Sequence, residues 1–130
     1  MSSAPPVHLK SEHCRLTITR PRQRAVVLTI VGRDVGELGD APFHELAKEL
    51  APPGSIELFV DARAAQATMD VSATWALWLG EHRSRSEHVS MLTGPRFIQL
   101  TAEFVKNFAA LGDKMRLYTE AAAFEAALNG

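Results

Sequence analysis

Apolar and polar positions change period several times along the chain. In "CRLTITR", Leu16 and Ile18 alternate with Arg15, Thr17 and Thr19, the period of two that marks a half-buried strand. "AVVLTIV", after the connection "PRQR", is almost continuously apolar and predicts a more buried strand paired with the first as a hairpin. Gly32, Gly36 and Gly39 then break the pattern. Asp40, with Pro42 just inside, predicts a helix start before Phe43, Leu46, Ala47 and Leu50 recur at helical spacing, and "APPG" ends that helix. "SIELFVDA" leaves only Glu57 polar before Asp61 and predicts a buried strand with Asp61 at its exit. From Asp70, with that aspartate as N-cap, a second helix carries Val71, Trp75, Trp78, Leu79 and His82 on one stripe, and "RSRSE" returns the chain to a short strand, "HVSMLTG". Pro95 opens a third helix whose apolar face is Phe97, Ile98, Leu100, Phe104, Val105, Phe108 and Leu111, ended by "LGD". "KMRLYT" predicts the last strand. "EAAAFEAAL" predicts a closing helix, with Thr119 as N-cap and Glu120 set against its dipole.

The predicted order is ββαβαβαβα. Strands separated by helices of crossover length pair in parallel, so the fold class is α/β: one domain with a mixed, mostly parallel sheet of about five strands packed with about four helices. Residues 1–12 are Ser, Ala and Pro followed by alternating polar residues and predict a flexible N-terminal arm, leaving 13–130 as the domain.

The 130-residue length fits one domain with one core. With 14 Lys and Arg against 15 Asp and Glu, the net charge is -1, which gives no electrostatic case for nucleic acid or an anionic membrane. The one cysteine, Cys14, has no intramolecular partner, and "MSSAPPVHLKSEH" lacks the basic head and apolar core of a secretion signal, so a cytoplasmic protein is expected. No apolar run approaches the roughly 20 residues of a membrane-spanning helix.

Familiar catalytic motifs are missing. "HELAKE" places Lys48 where a zinc-protease helix needs its second histidine after His44, and the remaining histidines (His8, His13, His82, His88) lack ligand spacing, so no metal is expected. The glycines at 32, 36 and 39 do not form a dinucleotide or P-loop signature, and no cofactor is expected. No serine sits in a nucleophile elbow. Asp61 and Asp70 form the one conceivable acid–base carboxylate pair, but their positions equally suit a loop solvator and a helix cap. A non-enzymatic protein is the expectation.

Three local patterns, together with the element order, resemble the STAS domain family of anti-sigma-factor antagonists and its SpoIIAA-like relatives over about residues 14–130. They are "VGRDVGELGDAPFHELAKEL", with Asp34 and Asp40 both available as the aspartate before helix one, then "LFVDARAAQATMDVSATWALWL", similar to a strand leading to an Asp-Ser-Ser-Gly helix start, and finally "KMRLYTEAAAFEAAL". The chain departs from the family at that helix start, reading Asp70-Val71-Ser72-Ala73, so both the first serine and the glycine are replaced. The resemblance implies a regulatory module that docks a protein partner, such as a kinase, an anti-sigma-like factor or another signalling protein. It implies a docking surface of Asp34, Asp40, Asp61, Asp70 and Ser72, with Ser72 as candidate phosphoacceptor.

If Asp70 is the N-cap, Ser72 is the second helical residue, where free backbone N–H groups and the helix dipole favour an added phosphate. The alternative reading makes the domain a carrier or sensor of a small apolar ligand. Trp75 and Trp78 of the second helix with Phe97, Phe104 and Phe108 of the third would line its pocket, because SpoIIAA-like relatives resemble lipid-carrier folds.

Overall fold

The computed structural model describes residues 6–94, 105–107 and 110–129. Strands β1 (Val7–Lys10), β2 (Cys14–Arg22) and β3 (Ala25–Asp34) form an antiparallel meander. Arg22 pairs with Ala25 across a tight turn in which Arg24 takes φ 65°, the left-handed geometry that suits the twist of a two-residue hairpin. From β3 onwards every pairing is parallel. β4 (Ile56–Ala67), β5 (Ser86–Thr93) and β6 (Met115–Tyr118) follow in chain order, completing a six-stranded sheet ordered β1-β2-β3-β4-β5-β6. Helix α1 (Ala41–Leu50) joins β3 to β4, α2 (Met69–Glu81) joins β4 to β5, residues 105–107 are helical, and α3 (Ala121–Asn129) closes the chain.

A strand order that never reverses, combined with the right-handed sense of parallel crossovers, puts all the crossing helices on one face of the sheet. The packing agrees. Leu46 and Leu50 of α1, Ala76, Trp78 and Leu79 of α2, and Val105 share one core with Leu16, Leu28, Leu58 and Val89 from the strands. On the opposite face, Phe124 of α3 packs with Val27, Phe59 and Leu92.

Three expectations change. The predicted arm is ordered as β1 from Val7, because Val7 and Leu9 alternate with His8 and Lys10 and turn inward onto the helix-bearing core. β4 does not end at Asp61 but runs to Ala67, still paired with β3 as Val31↔Ala64, Gly32↔Ala65, Arg33↔Gln66 and Asp34↔Ala67. A register shift between Thr29 and Val31 inserts an extra β4 residue, as a bulge does, so Ala62 and Ala65 both face the core and simple alternation is lost. Third, α3 begins at Ala121, and it is the carbonyl of Glu120 that accepts the Phe124 N–H, one residue beyond the expected Thr119 cap. The helix predicted from Pro95, with Phe97, Phe104 and Phe108, lies outside the described residues apart from 105–107 and 110–111.

Arg85, in the short turn just after α2, has a structural task. Its guanidinium donates to the carbonyls of Leu50, Pro52 and Gly54, while Arg24 donates to those of Glu49 and Ser55. The carbonyls orphaned where α1 stops at "APPG" are thereby satisfied.

Candidate functional site

Parallel α/β sheets collect ligands beyond the carboxyl ends of their strands, where helices start and loops diverge. Here β3 and β4 end side by side at Asp34 and Ala67, with the Thr68 N–H donating to the Asp34 carbonyl at 3.2 Å. Directly below that point lies a cavity of about 80 Å³, lined by strand residues including Leu28, Val60 and Met91 and by Val71, Ser72 and Trp75 of α2. Its origin is in the sequence. Along the bulged end of β4 the cavity is lined by Ala62, Ala65, Gln66 and Ala67, and the three alanines are too short to reach α2, where a buried parallel strand ordinarily carries Val, Ile or Leu. Such a hollow leaves its lining short of packing partners, at a cost in stability.

A second hollow of about 170 Å³ opens beside the first, formed by the β3–α1 loop, Phe43 and α2. Asp34, Val71 and Trp75 line both. They form a neck between an apolar inner chamber and a more polar outer one.

The helix start differs from the expected one. β4 delivers the chain in extended geometry to Thr68, which is the N-cap: its Oγ1 accepts the Val71 N–H at 3.3 Å. Asp70 becomes the second helical residue, and Ser72 falls a full turn in. Ser72 is 3% exposed, and both its N–H and its hydroxyl donate to the Thr68 carbonyl, each at 3.0 Å. The free N–H groups expected around Ser72 are therefore used, and a kinase meets no accessible hydroxyl there. Ser72→Asp, the phosphate mimic, is expected to lower stability by about 3 kcal/mol, since it buries an uncompensated charge. Ser72→Ala should change it by less than about 1 kcal/mol, because the Thr68 carbonyl keeps its backbone donor. Urea denaturation of the two variants separates these outcomes. Equal stabilities would mean that the first turn of α2 opens readily.

The other expected site residues divide. Asp34 is buried at the neck, Asp40 is exposed at the start of α1 and lines the outer chamber without capping the helix, and Asp70 is exposed on the first turn of α2. Asp61 is elsewhere. Its neighbours Val60 and Ala62 face the helix-bearing core, so Asp61 points from the opposite face of the sheet, where it pairs with Arg63 at 3.1 Å. The carboxylates of Asp61 and Asp70 are not brought together. Trp75 lines the cavity and stacks at a tilt on Phe43, 4.6 Å between ring centroids, whereas Trp78 sits in the core against His82. Phe43, the cavity-facing alanines and Thr68 were missed. The alanine-rich "ARAAQA" after a strongly apolar strand reads as empty space only once α2 is placed against it.

Beside the outer chamber, Glu37 of the β3–α1 loop meets His13 of the β1–β2 turn, Nδ1 to Oε1 at 3.2 Å. Partial desolvation raises the Glu37 carboxyl, but hydrogen bonds from His13 and Ser11 outweigh it and leave its pKa below the ordinary value. Glu12 joins them, so that one ligand-type atom from each of Glu12, His13 and Glu37 lies within 4.8 Å of the others. Just inside, Cys14 is 5% exposed, and its thiol is pushed from 9.0 up to about 11, first by burial and then by the charges of Asp34 and Glu37. At pH 8 both values lie above the solution pH, so the thiolate fraction is about a hundredfold below that of an ordinary thiol. Native protein should therefore resist iodoacetamide at pH 8 and react steadily faster as the pH approaches 11. Prompt labelling at pH 8 would show that the β1–β2 turn opens.

No protein-family model matches the chain, and no curated protein matches it in sequence. Among solved structures, an uncharacterized protein from the DUF3478 family with a SpoIIAA-like fold, from Shewanella loihica PV-4, superposes with a TM-score of 0.65 over 98% of both chains, at 14% identity. The fold is SpoIIAA-like, as the resemblance implied. Among the described residues no helix is long and apolar enough to cross a membrane.

Proposed function

We propose that this SpoIIAA-like domain is a non-enzymatic cytoplasmic protein that carries or senses a small, largely apolar ligand in the chamber at the carboxyl ends of β3 and β4. The observation that carries this reading is the cavity itself: it is lined by side chains of the sheet and α2, held open by alanines on β4, and kept despite its cost in stability. The test is native mass spectrometry of the protein recovered from its own cells, alongside Ala65→Met, which fills the chamber from β4. A bound small molecule on the wild type and none on Ala65→Met is the expected result. Bare wild-type protein under every growth condition would sink the reading.

A second reading, docking of a signalling protein on the second helix in the manner of an anti-sigma-factor antagonist, is favoured by one observation. Met69 and Leu77 of α2 are each 58% exposed and share a stripe at spacing eight through Ala73. Such docking would be constitutive, because the burial of Ser72 gives a phosphoswitch no support. Met69→Glu combined with Leu77→Glu should abolish recovery of any such partner in pull-downs from its own cells. Unchanged recovery would eliminate this face.

A further inference from the structure

The apolar chamber has one charged group at its neck, and its surroundings select the ligand's head. Asp34 is 7% exposed and lines both chambers. Its Oδ1 accepts the Gly36 N–H at 3.0 Å. Among the described residues, no Lys, Arg or His pairs with it, and no side chain donates to its second oxygen. That oxygen can still accept a hydrogen bond at the neck.

The rest of the neck presents the same sign. Among the described residues the linings of both chambers contain no Lys, Arg or His, while Asp40 adds a second carboxylate to the outer one. The positive end of the α2 dipole, which would otherwise attract an anion, already has Asp70 in its first turn. The half-buried rings of Phe43 and Trp75 pack 4.6 Å apart and line the outer chamber together with Asp34. A carboxylate and aromatic rings lining one hollow are the two kinds of group that attract an organic cation.

Resting on the apolar-ligand reading above, we propose that the ligand is a cationic amphiphile: a slim alkylammonium-type molecule whose chain fills the inner chamber and whose ammonium head sits at the neck between Asp34 and the Phe43–Trp75 pair. A slim chain is required because about 80 Å³ is well below the ~150 Å³ of a cavity that takes benzene.

The experiment is isothermal titration of the whole chain with three probes of equal chain length, n-hexylammonium, n-hexanol and n-hexanoate, at pH 7 and fixed ionic strength, with tryptophan fluorescence as a second readout. The expected order is ammonium, then alcohol, then carboxylate, with the ammonium about tenfold tighter than the alcohol. Asp34→Asn keeps the oxygen that accepts from Gly36 and should remove the ammonium's lead. Hexanol or hexanoate binding as tightly as hexylammonium would overturn the cationic head while leaving the apolar chamber standing. Failure of all three to bind would overturn both. An unchanged ammonium preference in folded Asp34→Asn would overturn the role of Asp34, and should that variant not fold, the wild-type order decides alone.

Discussion

Gly32→Ala is expected to destabilise the domain by about 3 kcal/mol or more, far beyond the roughly 1 kcal/mol typical of a point substitution. Gly32 has φ +100°, which side chains rarely adopt, and a Cβ there would stand 2.3 Å from the His13 carbonyl oxygen. That oxygen cannot retreat cheaply, since it accepts the Arg33 N–H at 2.8 Å and Cys14 pairs with Gly32 in the β2–β3 register. Strain and clash therefore act together, where either alone would cost less. The same change should weaken ligand binding, because Gly32 lies two residues before Asp34 and anchors the β1–β2 turn against the loop that walls the outer chamber. Urea denaturation gives the stability, and probe titration of whatever folds gives the second effect. A loss under about 1 kcal/mol would mean that the hairpin slides past β3 without resistance.

Much of this architecture is legible along the chain, and the failures have local causes. Hydrophobic period found β2 and α1 from their single buried faces, and β3 and the apolar part of β4 from nearly continuous apolar runs, buried on both sides. It lost the end of β4 because the bulge breaks alternation where alanine, a weak strand former, replaces the β-branched residues. That one error moved the cap from Thr68 to Asp70 and placed Ser72 at the wrong depth. β1 escaped because four residues give too short a pattern, and its strand character comes from pairing with β2. The candidate site was half legible: Asp34 entered through the family resemblance and Trp75 through the aromatic stripe of the second helix, while the cavity is made of what alanines do not fill. Alanine marks empty space only once the facing helix is known, so Ala62, Ala65 and Ala67 carried no warning by themselves.

Leu28→Ala tests whether that empty space is rigid. Leu28 is fully buried at the middle of β3, pairs with Ile18 on β2 and Val60 on β4, and lines the inner chamber. Truncation removes the transfer energy of its methyl groups and enlarges a void whose walls are fixed in register on both sides, so a loss of about 3 to 4 kcal/mol is expected. Collapse is the competing response. Were α2 free to settle onto the sheet, the loss would shrink towards the roughly 2 kcal/mol of a site that closes up, and the chamber would disappear. The two cases part on adding benzylammonium, which is too broad for the wild-type chamber. In a rigid, enlarged cavity it should bind and restore about 2.7 kcal/mol when present at a hundred times its Kd. A variant that loses little stability and ignores the ligand would show that α2 packs loosely over β4, and that the chamber lacks the fixed walls a selective binding site requires.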